Sequence, residues 1–204
     1  MRGVEARSEA WCDNRARIAP DLSPLYKQIF KWDFFHNDAF PPGLSATQYS
    51  AVQKSFKSFG GYKSTFEPLL LLEAWQSFLK CKEEATISGA LEVKIATRMR
   101  ADAFVELETT IDNMDDRNRW FESDIVLLST NKNPLSSENA HHCLARVYNV
   151  TRKFKGPREV QLRCDPGPMM LQKMTHGGKL HGVKIMRFVC FYFWMLRDID
   201  YNLV

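Results

Sequence analysis

Ala103-Phe104-Val105-Glu106-Leu107-Glu108-Thr109-Thr110-Ile111 is the stretch whose rhythm decides the fold. Ala103, Val105, Leu107, Thr109 and Ile111 alternate with Phe104, Glu106, Glu108 and Thr110. A period of two suits a strand with one covered and one wet face. On either side, residues 91–96, 124–130, 143–150, 159–164 and 180–188 read as further short strands. Turn chemistry separates them: Asn131-Lys132-Asn133-Pro134, Gly156-Pro157, Pro166-Gly167-Pro168 and Gly177-Gly178. About six short strands at such spacing favour a small barrel or a sandwich.

Upstream of Ala85 the apolar period is near 3.6. Ser23-Pro24 marks a helix start, Ser23 as cap and Pro24 at the first helical position, with the helix expected over residues 25–34 and Leu25, Ile29 and Trp32 on one face. Pro41-Pro42-Gly43 interrupts it. Tyr49, Val52, Phe56 and Phe59, spaced 3, 4 and 3 apart, predict a second helix that Gly60-Gly61 ends. A third follows: Ser64-x-x-Glu67 resembles a capping box, Pro68 falls in the first turn, and Leu71, Ala74, Trp75, Phe78 and Leu79 form one stripe. The expected class is therefore α+β, N-terminal helices followed by an antiparallel β unit. Residues 1–22 read as a charged, flexible arm, 23–88 as the helical part, 89–187 as the β domain and 188–204 as an apolar tail.

The chain has 204 residues, 45% of them hydrophobic and 12% aromatic, enough for a real core. No membrane span is expected: the longest apolar run, Phe188 to Leu196, lies between Arg187 and Arg197 and is far short of the roughly 20 residues a bilayer needs. Residues 1–17 lack the apolar core of a signal peptide. Five cysteines, at 12, 81, 143, 164 and 190, are odd in number and widely spaced, which points to a reducing compartment, cytosol or nucleus.

Gly60-Gly61-Tyr62-Lys63-Ser64-Thr65 superficially resembles a phosphate loop, but Tyr62 stands where Gly must precede the Lys, and Lys57 where the upstream Gly belongs. A helix C-cap followed by an N-cap reads better. His141-His142-Cys143 places neighbours on opposite faces of a strand, with no second cluster to complete a zinc set. His176 and His181 have no carboxylate near them in sequence, and Asp112, Asp115 and Asp116 lack the Gly of a calcium loop.

Charge distribution says more than the net +4. From Ala101 to Asp124 there are eight acids against Arg117 and Arg119, whereas from His141 to Arg187 ten bases stand against Glu159 and Asp165. Arg146, Arg152, Lys153, Lys155, Arg158 and Arg163 are the candidate nucleic-acid contacts, four of them around one hairpin tip. There several cations could meet phosphates and release counterions. A merely soluble hairpin, or a basic face packed on the acidic half of the same chain, remains the alternative.

The sequence also resembles a known family. Leu25-Tyr26-Lys27, Trp32-Asp33, and Tyr62 followed by Phe66-Glu67-Pro68-Leu69-Leu70-Leu71-Leu72-Glu73-Ala74-Trp75 are similar to the segment before the helicase core in the senataxin family of superfamily 1 RNA/DNA helicases. The resemblance continues through Glu122-Ser123-Asp124-Ile125-Val126-Leu127-Leu128 and Cys143-Leu144-Ala145-Arg146-Val147 to Val183-Lys184-Ile185-Met186, covering about residues 23–186 in order. It implies a helical brace and stalk carrying a small β-barrel, a nuclear location, and a part in transcription termination and RNA–DNA hybrid resolution. It implies helicase motor domains and RNA or single-stranded nucleic acid as partners. ATP and magnesium would belong to the motor domains, with no cofactor in this chain. The family's ATPase motifs would follow this region, so no catalytic residue transfers, and ATP turnover by this chain alone is not expected. Where the family continues in polar sequence, residues 188–196 are densely aromatic, so the chain is read as truncated, its tail not selected for this fold. Three roles follow in order of support: a non-catalytic accessory region, a protein-docking module that touches no nucleic acid, and an independent enzyme.

Overall fold

In the computed structural model, which describes residues 22–84, 89–101, 103–114, 118–136, 141–151 and 156–187, the alternating stretch is the second of six strands. In chain order these are β1 (Leu91–Ala101), β2 (Phe104–Ile111), β3 (Asp124–Ser129), β4 (His142–Thr151), β5 (Arg158–Cys164) and β6 (Lys179–Arg187). Every pairing is antiparallel and the order β1-β2-β5-β4-β3-β6 closes on itself, a barrel rather than a sandwich. Of the described residues, 27–187 belong to one compact unit and 22–26 to another.

Parity dictates the barrel's interior. Leu107 and Ile111 point in from β2, Val126 and Leu128 from β3, Ala145 and Val147 from β4, Val160 and Leu162 from β5. Each Val, Leu or Ile among them, removed from water, contributes about 1.5–3 kcal/mol before entropy is charged. Trp120, 1% exposed, fills one end of the interior beside Gly182. The other end is closed by α3 (Pro168–Lys173), whose Met170 is buried together with the following Met174. All six residues of β3 are buried, because Ile125 and Leu127 on its outer face are covered as well.

Two helices precede the barrel among the described residues, α1 (Ser23–Phe30) and α2 (Phe59–Glu84), the latter packed against β6. Trp75 and Phe78 of α2 are fully buried and stack at 5.3 Å, and Trp32 meets both edge-on. The Trp75 indole N–H donates to the Asp38 carbonyl at 2.9 Å, so α2 also holds the irregular segment before it.

Several expectations for the helices need correcting. α1 includes Ser23 as its first residue and ends at Phe30, short of residue 34; Trp32 and Phe34 are buried from the turns that follow. The helix expected through Tyr49, Val52 and Phe56 does not form. Only the 3-10 turn Ala46–Gln48 is present there; Val52 is 52% exposed, so no core rewards that stripe. Phe56 instead presses on Tyr62 and Phe66 of α2. Gly60-Gly61 does not end a helix but lies in the first turn of α2, where Ser58 Oγ accepts the Gly61 N–H at 3.2 Å. Ser58 thus does the capping assigned to Ser64, whose hydroxyl donates to the Gly61 carbonyl, and Pro68 sits inside the helix. Phe104, placed on the polar face of β2, is buried because Phe30 meets it edge-on at 5.7 Å.

Strand β1 runs to Ala101, beyond the expected 96, since Thr97 to Arg100 pair with β2 although their side chains are exposed. His142, read as a bare strand edge, lies edge-on to Phe35 with its Nε2 3.3 Å from Asp33 Oδ1. The proposed arm, residues 1–22, lies outside the described residues except for Leu22, as does the apolar tail from residue 188.

Candidate nucleic-acid interface

Register fixes which side chains share one end of the barrel. Ile111 of β2 pairs with Arg158 of β5, Thr151 of β4 with Glu159, and Asp124 of β3 with Arg187 of β6. The end of β2, the start of β3, the end of β4 and the start of β5 therefore meet at one mouth, beside the last residue of β6. Arg158 shares the parity of inward-facing Val160 and Leu162, so it lies over this mouth, half-buried.

Arg146 and Arg163 are register partners on the outer face, and the structure sets them side by side. Arg163 Nε donates to Glu106 Oε1 at 2.5 Å, and its guanidinium lies 3.7 Å from the ring centre of Tyr148. Arg146 Nη2 donates to Ser123 Oγ at 3.3 Å. Arg152, Lys153 and Lys155 lie outside the described residues.

A second group of cations escaped the sequence reading. The Phe121 ring has the Arg187 guanidinium 4.6 Å from its centre, that of Arg119 at 4.8 Å and Lys184 Nζ at 5.9 Å. Cations placed so are drawn to the ring's negative face. Arg119 comes from the stretch counted as acidic, while Lys184 and Arg187 come from a strand about 65 residues later, so only the fold unites them. The available signal was the interleaving of Arg119 with Trp120 and Phe121.

The turn beneath this group is tightly held. Phe121 N–H donates to Asp124 Oδ2 at 2.8 Å, Asp124 N–H to the Phe121 carbonyl at 3.1 Å, and Ser123 N–H to the Val147 carbonyl at 2.8 Å. Ser123 adopts φ +71°, a left-handed conformation that costs a non-glycine residue about 1 kcal/mol or more. Asp124 is 0% exposed, and burial pushes its carboxyl above the ordinary range, while the Phe121 N–H and the charges of Lys184 and Arg187 pull it back. Its negative charge is therefore hidden beneath the cations rather than offered to solvent.

The fold and this end together define a closed, six-stranded antiparallel barrel domain with a cation-and-aromatic mouth, carried behind helices. Residues 88–185 match the family model described as the helicase SEN1 beta-barrel domain. The chain is 25% identical over 183 residues to "Helicase SEN1" of Saccharomyces cerevisiae and 24% identical over 178 residues to "Helicase sen1" of Schizosaccharomyces pombe. Those alignments take in 85% and 87% of this chain but only 8% and 10% of the two relatives' own lengths. Residues 88–185 are thus similar to the SEN1 barrel domain, and the chain resembles a region of the Sen1-like helicases. Among the described residues no helix is long and apolar enough to cross a membrane.

Proposed function

We propose that this chain is the non-catalytic stalk-and-barrel region of a Sen1-like, ATP-dependent RNA/DNA helicase, working in the nucleus in transcription termination and RNA–DNA hybrid resolution. The single observation behind this reading is the match of residues 88–185 to the SEN1 barrel domain. The helices brace the barrel on the motor domains. The barrel guides single-stranded nucleic acid, RNA above all, beside the motor, through phosphate contacts that give affinity with little sequence choice. ATP and magnesium belong to the motor domains. Neutralising Arg152, Lys153, Lys155 and Arg158 together will weaken RNA binding at low salt and flatten its salt dependence by about 0.7 per lost phosphate contact. Equal slopes for variant and parent refute the hairpin's part in binding, and ATP turnover by the purified chain refutes the non-catalytic assignment.

A second reading, a protein-docking module, draws on the internal neutralisation of part of the basic surface: Arg163 on Glu106, Lys94 on Asp112 and Lys179 on Glu92. Co-purification with separately expressed motor domains and no RNA binding would favour it.

A further inference from the structure

We propose that Arg119, Phe121, Lys184 and Arg187 form a binding site for single-stranded nucleic acid at the barrel mouth, the cations taking phosphates and the flat guanidinium faces taking bases. This inference rests on the nucleic-acid reading above and locates its contact on described residues apart from the hairpin tip. Three cations within 6 Å of one ring centre would repel one another without a counter-charge. The nearest acid by register, Asp124, is buried, and Arg187 Nε stands 3.9 Å from it. Arg119 and Lys184 form no ion pair among the described residues; Lys184 Nζ instead donates to the Arg119 carbonyl at 3.3 Å. Elsewhere on the barrel the outward lysines Lys94 and Lys179 sit within 3.0 Å of carboxylates. The mouth is thus one place where positive charge is left for a ligand. The one exposed acid in the turn is Glu122.

Aromatic rings separate a nucleic acid from an acidic peptide as the ligand. Guanidinium groups held beside Phe121, and again Arg163 beside Tyr148, are planar cations on which a base can stack and whose N–H groups can donate to phosphate oxygens. Arg187 is 58% exposed and so is available for both. A carboxylate peptide would use the edges and leave the faces idle. Pre-organisation is built in: Trp120 is buried in the barrel, and the 121–124 turn is hydrogen-bonded to itself and to β4, so little order is lost on binding.

The test is fluorescence anisotropy on the full chain with a short labelled oligouridylate, over a salt series. Arg119→Gln/Arg187→Gln is expected to weaken binding about tenfold at low salt and to reduce the slope of log K against log salt by about 1.4. Phe121→Leu is expected to cost about fivefold or more with the slope nearly unchanged. Because either could disturb the turn, Asp124→Asn/Arg187→Gln, which keeps the Phe121 acceptor and removes one charge of each sign, serves as a second variant; it should melt like the parent and still lose about 0.7 of slope. If the parent binds, these variants match it, and only the hairpin variants weaken, the mouth site is overturned while the function proposed above stands. If the parent binds no oligonucleotide, or only a labelled polyglutamate, both are overturned.

Discussion

Adding one methyl group at Gly182 tests how the barrel is filled. A Cβ there would stand 2.5 Å from Trp120 Cη2, 2.9 Å from its Cζ2 and 3.3 Å from Leu128 Cδ2. Carbon atoms settle at about 3.5–4.0 Å, so the indole must move by about 1 Å in a site with no open side. Gly182 pairs with Leu91 on β1 and Leu128 on β3 at once, which prevents the backbone from yielding instead. Overpacking of this kind costs about 1–3 kcal/mol, so Gly182→Ala should lower the melting temperature by about 2–4 °C for each kcal/mol lost. Trp120→Phe alone will also destabilise, by about 1–3 kcal/mol, through lost contacts. The smaller ring leaves room for the new methyl, however, so the double variant should be more stable than the sum of the singles by about 1 kcal/mol or more. Urea unfolding followed by far-ultraviolet circular dichroism reads all four proteins at constant slope. A Gly182→Ala midpoint equal to the parent's, or strict additivity in the double variant, would refute the packing argument.

Three further outcomes follow from the geometry. The Asp124 carboxyl is raised by burial, so its ionisation works against the fold: its contribution is full below the unfolded pKa and is lost as pH rises through the folded one. Asp124→Asn, which keeps the Phe121 acceptor, should then be at least as stable as the parent at pH 7, with the advantage shrinking toward pH 4, and urea midpoints at the two pH values check the sign. The hydrogen bond with the neighbouring Cys164 thiol, together with burial, pushes the Cys143 thiol well above its usual range. Mass spectrometry after brief iodoacetamide treatment should accordingly find Cys143 and Cys164 unmodified until urea is added, with half-buried Cys81 labelled earlier. Trp75→Phe removes the donor to the Asp38 carbonyl and should cost about 1–3 kcal/mol. Hydrogen exchange should quicken across residues 36–40 more than in the barrel strands; uniform loss of protection would contradict the local account.

The strands were legible and the helix boundaries less so, for reasons that lie in particular residues. Leu107, Thr109 and Ile111 announce β2 because burial on one face of a strand leaves a two-residue period, and the same holds for Val160 and Leu162 in β5. Tyr49, Val52, Phe56 and Phe59 carry an equally good helical period, but Val52 stays exposed and Phe56 takes aromatic contacts with α2 instead. Ser58 went unread as a cap because two glycines follow it, and glycines after an apolar stripe resemble an ending. For the mouth, Lys184 and Arg187 were counted among the bases and Arg119 was set against the acids. Nothing in linear order says that Phe121 gathers them; that depends on Asp124 pairing with Arg187 across β3 and β6.

The first and last strands of the barrel are neighbours, hydrogen-bonded through Leu91↔Gly182 to Lys94↔Lys179. Because they run antiparallel, the start of β1 and the end of β6, the two leads of the barrel, lie on the same side. Tension between those two leads would open this seam one rung at a time, as a zip opens, instead of shearing all rungs together. A barrel closed in this way is softer to a pull between its two leads than its buried interior suggests.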